Sequence, residues 1–235
     1  MQTWQEYLGN HSYPGRGVFC GLSPNGNQAI LAYFIMGRSI NSRNRIFVAD
    51  GYGLRTQAFD PAKLSDPSLI IYAPVRVLDN TIIVTNGDQT DTIYDYLAHG
   101  KDWQTALASR TYEPDAPNFT PRISGLLQIA DGACRYSLSI LKKAVDNDDC
   151  LRLFWNYQPQ AGLGHLIHTY AADREPLPPF AAEPIKLPTP AEPEVFGNLI
   201  WQHLNADNKV ALFVRYLDLA NGQTTDHIYN KHHGD

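Results

Sequence analysis

Apolar residues in this chain fall in short runs of about four to nine, separated by clusters of Gly, Pro, Asn and Asp, a spacing of strands and tight turns. Val18-Phe-Cys-Gly-Leu22 and Gln28-Ala-Ile-Leu-Ala-Tyr-Phe-Ile-Met36 flank an Asn25-Gly26 step, which predicts a β-hairpin because that pair suits the positive φ of a two-residue turn. β-branched runs at 46–49, 69–72, 75–78 and 81–84 predict four more strands, the last two joined by a turn at Asp79-Asn80. A second set follows at 123–129, 136–141, 151–157 and 165–170, and a last strand at 210–217.

Helical period appears in two places. Residues 90–110 read as two short helices, with Gly100 closing the first, Asp102 capping the second, and Ile93, Leu97, Trp103, Ala106 and Leu107 facing inward. Val195, Phe196, Leu199, Ile200 and Leu204 form the apolar face of another. Residues 1–16 are polar, with a Trp4-Gln-Glu-Tyr-Leu8 stretch able to make one helical turn, and read as an N-terminal extension to a single domain over 17–235. Seven of the sixteen prolines lie between Asp173 and Pro193, so that stretch is expected to be extended and irregular. About eight to ten strands and roughly three helices that do not alternate with them predict an α+β fold of layered, mainly antiparallel sheets.

Composition narrows the partners. The 235 residues are enough to bury about 70% of the unfolded surface, and 43% hydrophobic with 18% charged residues is ordinary for a globular domain. A net charge of −5 offers no general field for nucleic acid or an anionic membrane, so an anionic ligand must be held by local arginines. Cys20, Cys134 and Cys150 are odd in number and lack a CxxC pair, which indicates neither a disulfide framework nor a zinc site and fits a reducing cytoplasm. The N-terminus lacks a secretory pattern, and no window reaches the ~18 apolar residues of a membrane span.

The richest chemistry is the stretch Thr85-Asn86-Gly87-Asp88-Gln89-Thr90-Asp91, which ends a strand, turns, and opens a helix whose free N–H groups can hold an anion. Asn86 offers an amide, Gly87 lets backbone approach a ligand, and Thr90 and Asp91 read equally well as helix caps. Upstream, Arg38, Arg43 and Arg45 lie within eight residues and suit a phosphate or an oxyanion, or simply a solvated face. Tyr72 closes an apolar run, Glu113 follows Tyr112, and Arg122 follows Thr120-Pro121; each has an ordinary rim or surface reading beside a functional one. His165 and His168 fall on opposite faces of a strand, which argues against a shared metal. Neither GxxxxGK[ST] nor a GxGxxG after a strand is present.

Together, Arg38-Ser-Ile-Asn-Ser-Arg43, the spacing from Tyr72 to Asn86, the 85–93 turn, Tyr112-Glu113 and Thr120-Pro121-Arg122 resemble the signature set of the archaeal-type IMP cyclohydrolases. The resemblance implies a four-layer αββα sandwich like that of the N-terminal nucleophile (Ntn) hydrolases, without self-processing. It also implies closure of 5-formamidoimidazole-4-carboxamide ribotide to IMP with loss of water, a hydrolase-class reaction needing neither metal nor organic cofactor. On this reading Arg43, Tyr72 and Glu113 are catalytic, and Arg38, Asn86, Gly87, Thr90, Asp91 and Arg122 bind substrate. The expected partner is a purine ribotide, and a homo-oligomer is compatible with the sequence. Two alternatives share the fold: a non-catalytic purine-nucleotide-binding protein, and an amide hydrolase.

Overall fold

The expected hairpin forms, but not through a two-residue Asn-Gly turn: Pro24 and Asn25 are the central pair, and Gly26, at φ 77°, donates its N–H to the Ser23 carbonyl at 2.9 Å within a 23–27 connection. The computed structural model describes residues 1–64, 67 and 69–232, so the last three residues of the expected domain lie outside the described residues. In chain order the elements begin α1 (Trp4–Gly9), β1 (Arg16–Leu22), β2 (Gln28–Met36), α2 (Ile40–Arg43), β3 (Arg45–Asp50), β4 (Gly53–Ala58), β5 (Val75–Leu78) and β6 (Thr81–Thr85). They continue α3 (Gln89–Ala98), α4 (Trp103–Ala108), β7 (Arg122–Ala130), β8 (Ala133–Lys143), β9 (Cys150–Tyr157), β10 (Leu163–His168), β11 (Ile185–Pro188), α5 (Pro193–His203), β12 (Lys209–Asp218) and β13 (Thr224–Asn230).

Two antiparallel sheets result, one of six strands ordered β11-β10-β1-β2-β12-β13 and one of seven ordered β3-β4-β5-β6-β7-β8-β9. Val18, Leu31, Tyr33, Ile123, Leu138 and Phe213 fill the space between them. On the outer face of the first sheet, Ile30, Phe34 and Leu212 meet Trp4, Phe196 and Ile200 of α1 and α5; on that of the second, Ile83 and Leu126 meet Ile93, Trp103 and Leu107 of α3 and α4. Strand β2 is therefore covered on both faces, which is why its sequence is an unbroken apolar run rather than an alternation. Among the described residues, no helix is long and apolar enough to cross a membrane.

Several expectations change. Residues 69–72 are not a strand: Leu69 and Ile70 turn, and Tyr72 is drawn to Thr56, whose Oγ1 accepts from the Tyr72 N–H at 2.8 Å. Strands β4, β11 and β13 had no legible run, because Arg, Gln, Thr, Pro and Asp interrupt their apolar positions. The N-terminal residues pack on the first outer layer, where Trp4 sits edge-on to Phe19 and Phe196 and donates its indole N–H to the Pro188 carbonyl at 2.9 Å. A Thr3–Glu6 capping box starts α1, which offsets the weak helix tendency of so short a segment. Asp102 caps α4 as expected, accepting from the Thr105 N–H at 2.7 Å.

Candidate functional site

The start of β1, the end of β2, the start of β3 and the junction of β6 with β7 lie at one end of the sandwich, and polar side chains there point between the sheets. Tyr33 from β2 and Tyr72 from the β4–β5 connection join across the gap, hydroxyl to hydroxyl at 2.7 Å. Arg16 at the start of β1 brings Nη1 to 3.9 Å from Glu113 Oε2, within ion-pair range but beyond a hydrogen bond. Arg45, at the start of β3, is fully buried; its Nε donates to the Ser42 carbonyl at 2.8 Å, while both terminal nitrogens lack a partner among the described residues. Glu113 Oε1 and Arg16 Nε are likewise buried and unpartnered there. So many unmet polar groups in one place are costly, and they collect where a polar ligand would complete them.

The electrostatics follow from burial. Desolvation pushes the Glu113 carboxyl above its usual range, with Asp115 acting in the same direction and Arg16, Arg122 and Arg45 opposing. Desolvation also lowers Arg45, reinforced by the like charge of Arg16, and raises Tyr72 against the pull of both arginines. Arg16 is raised despite its burial because Glu113 and the surrounding phenols favour its charge. The 3.9 Å gap and the unpartnered Oε1 support a carboxylate that keeps its raised proton affinity.

The expected residues divide. Tyr72 and Glu113 are brought together, and Arg122 comes beside them: a Cβ placed on Gly87 would lie 2.7 Å from Arg122 Nη1 and 3.6 Å from Glu113 Oε1. Arg43 turns outward instead, donating to the Gly37 carbonyl and to Asn208, each at 2.9 Å. Arg45, two positions on, is the arginine that turns inward, and Asn44 before it locks the loop by exchanging bonds with Asp60 at 2.8 Å. Arg38 stands at the rim, bound to Asp173 at 2.9 Å and Glu175 at 2.7 Å and lying over the Tyr13 ring.

Asn86 and Thr90 are spent on the turn itself. The Asn86 amide donates to Pro121 and its oxygen accepts from Ile123 and Gln89, while Thr90 bonds Thr85 and the Gly87 carbonyl. Asp91 faces outward to Arg76 at 2.8 Å. The anion at this helix start is the chain's own Asp88, between Arg110 at 2.5 Å and Arg122 at 2.7 Å.

A cavity of about 200 Å³ opens at this end, lined by Arg16, Arg38, Ser39, Ser42, Asp115 and Tyr170 among others. Thr120 ties its floor together: its N–H donates to Asp115 at 2.6 Å, and its hydroxyl meets Tyr170 at 2.5 Å. Arg16, Tyr33 and Tyr170 were not singled out from the sequence. Arg16, in Pro14-Gly-Arg-Gly17 just ahead of the first strand, and Tyr33, the one residue with a hydroxyl in β2, carried the available signals. Cys20 is fully buried between the sheets and its thiol is pushed up by desolvation, which does not suit a nucleophile.

Comparison with known proteins supplies the family. The model of the IMP cyclohydrolase-like protein family matches residues 13–222. An IMP cyclohydrolase of Methanopyrus kandleri is 32% identical over 162 residues, 67% of this chain and 75% of that protein. Those of Methanothrix thermoacetophila and Methanocaldococcus jannaschii are 32% and 34% identical, over 49% of this chain and 57% and 56% of their own lengths. With every strand but β13 and the whole buried cluster inside the matched span, this chain belongs to the IMP cyclohydrolase-like protein family.

Proposed function

We propose that this protein is an IMP cyclohydrolase on an Ntn-hydrolase-like sandwich, a single domain over 17–235 with 1–16 as an extension that docks on it. The observation that carries the reading is the buried set of Arg16, Arg45, Tyr33, Tyr72 and Glu113, whose unmet donors and acceptor match the needs of the ring closure.

In that reaction the carboxamide nitrogen attacks the formyl carbon of the same molecule, a proton leaves the nitrogen, and negative charge grows on the formyl oxygen before water departs. Glu113, raised by burial and free at Oε1, takes the amide proton. The terminal nitrogens of Arg45 and the Tyr33–Tyr72 hydroxyl pair donate to the forming oxyanion, where a water-poor setting strengthens them. Confinement between the sheets holds the two reacting groups in contact, a large share of what a poor nucleophile requires. Arg38 meets the ribotide phosphate at the rim, exchanging the carboxylates of Asp173 and Glu175 for it. Arg43 supports the loop through Gly37 and Asn208 rather than touching the substrate.

Incubation of the purified protein with the formamido ribotide, followed by the rise of purine absorbance, tests the assignment. The expected result is IMP formed well above the uncatalysed rate; binding of the ribotide without turnover would favour a nucleotide-binding protein, and release of formate would favour an amide hydrolase.

A further inference from the structure

Arg122 and Glu113 both lie against Gly87, close enough that a Cβ on that glycine would meet Nη1 of one at 2.7 Å and Oε1 of the other at 3.6 Å. Opposite charges so placed in a protein interior ordinarily pair, yet Glu113 Oε1 and Arg122 Nε have no partner among the described residues. Arg122 is turned elsewhere: its Nη1 donates to Asp88 Oδ1 at 2.7 Å and to Gln89 Oε1 at 2.8 Å. Asp88 is anchored in turn by Arg110 Nη2, 2.5 Å from its other oxygen. An Asp at the N-cap of a helix normally accepts from the first-turn backbone, but Asp88 makes no such bond, so its carboxylate is given over to the two arginines.

We propose that Asp88 is a positioning residue that draws Arg122 toward the start of α3 and so leaves Glu113 with no cation nearer than Arg16 at 3.9 Å. The inference rests on the reading of Glu113 as the proton acceptor and adds what keeps it one. Of the other groups facing Glu113, Arg16 already opposes its proton more strongly than Arg122 does, but from beyond hydrogen-bond range. Arg16 of β1 stays at 3.9 Å, Arg45 of β3 acts more weakly, Asp115 of its own loop is held by Thr120, and the phenols of Tyr72 and Tyr170 are uncharged. Arg122 is the cation that Asp88 and Gln89 hold off Oε1. An arginine in contact lowers a carboxylate's proton affinity about ten-fold or more, which would make Glu113 a weaker base.

The test reads Glu113 directly, by the pH dependence of its carboxyl ¹³C resonance, assigned against Glu113→Gln. In Asp88→Asn the midpoint moves about one pH unit or more toward acid. Asp88→Glu restores the wild-type midpoint, and Gln89→Met, which removes only the second acceptor, moves it the same way by less. In an Arg122→Met background the Asp88→Asn displacement disappears, because no cation remains to be released. A midpoint unmoved in both Asp88→Asn and Gln89→Met, or a displacement that persists without Arg122, overturns the proposal. The titration needs no substrate, so it stands or falls separately from the turnover assay.

Discussion

Arg45 has the sharpest conflict between folding and function in the molecule. Its guanidinium is wholly buried beside Arg16, with only Nε hydrogen-bonded among the described residues. A buried charge so poorly met costs several kcal/mol, and an apolar residue of similar volume there commonly raises stability by about 1–4 kcal/mol. Arg45→Met should therefore raise the melting temperature while lowering kcat/KM about 10²- to 10³-fold, the scale of losing one oxyanion donor. Calorimetry beside initial rates checks this; a variant that melts lower and keeps its activity would mark Arg45 as structural. Arg43 and Arg45 are two positions apart in the sequence, and no composition or period argument separates them. Only the start of β3, which turns Arg45 inward and leaves Arg43 on the α2 loop, does so.

The elements around the site show why some of this was legible and some not. The α3 start, the Asp102 cap and the Asn25-Gly26 hairpin are local, encoded in a few consecutive residues, and they appear where expected. Strand β4 is not local: its apolar positions alternate with Arg55 and Gln57, and its meaning emerges when Thr56 captures the Tyr72 backbone from a distant loop. The docking of α1 is similar, since Tyr7 gives its hydroxyl proton to His168 Nε2 at 2.5 Å while His168 Nδ1 bonds the Tyr170 carbonyl at 3.0 Å. Burial, with His11 beside it, holds His168 neutral down to about 3. The folded value lies below the unfolded 6.5, so the stability this group contributes is complete above pH 6.5 and is lost as pH falls toward 3. Urea unfolding at a series of pH values should show that loss at about 1.4 kcal/mol per pH unit from this group. His168→Gln should flatten the slope over this window, and parallel profiles for the two proteins would refute the assignment.

At the scale of the whole molecule, the sandwich has two mouths with different chemistry. The far end, where β2 begins and β12 closes, carries a larger cavity of about 500 Å³, but its arginine is satisfied: Arg215 holds Asp226 through two bonds, at 2.8 and 2.6 Å, and donates to the Tyr52 carbonyl at 2.8 Å. The near end is smaller and left polar and unmet, which is why chemistry is assigned there rather than to the larger space. The layered antiparallel architecture could be read from strand runs and grouped helices, but the meeting of β1, β2, β3 and the 109–121 loop at one mouth is a property of sheet order. That order is not written in any local window, so Arg16 and Tyr33 came into view only with the fold. The most direct test of the account is the initial rate of IMP formation from the formamido ribotide by wild-type protein, Glu113→Gln and Arg43→Ala under one set of conditions. A loss of about 10²- to 10⁴-fold is expected for Glu113→Gln and a much smaller one for Arg43→Ala; wild-type turnover in Glu113→Gln, or no IMP from the wild type, would refute the assignment.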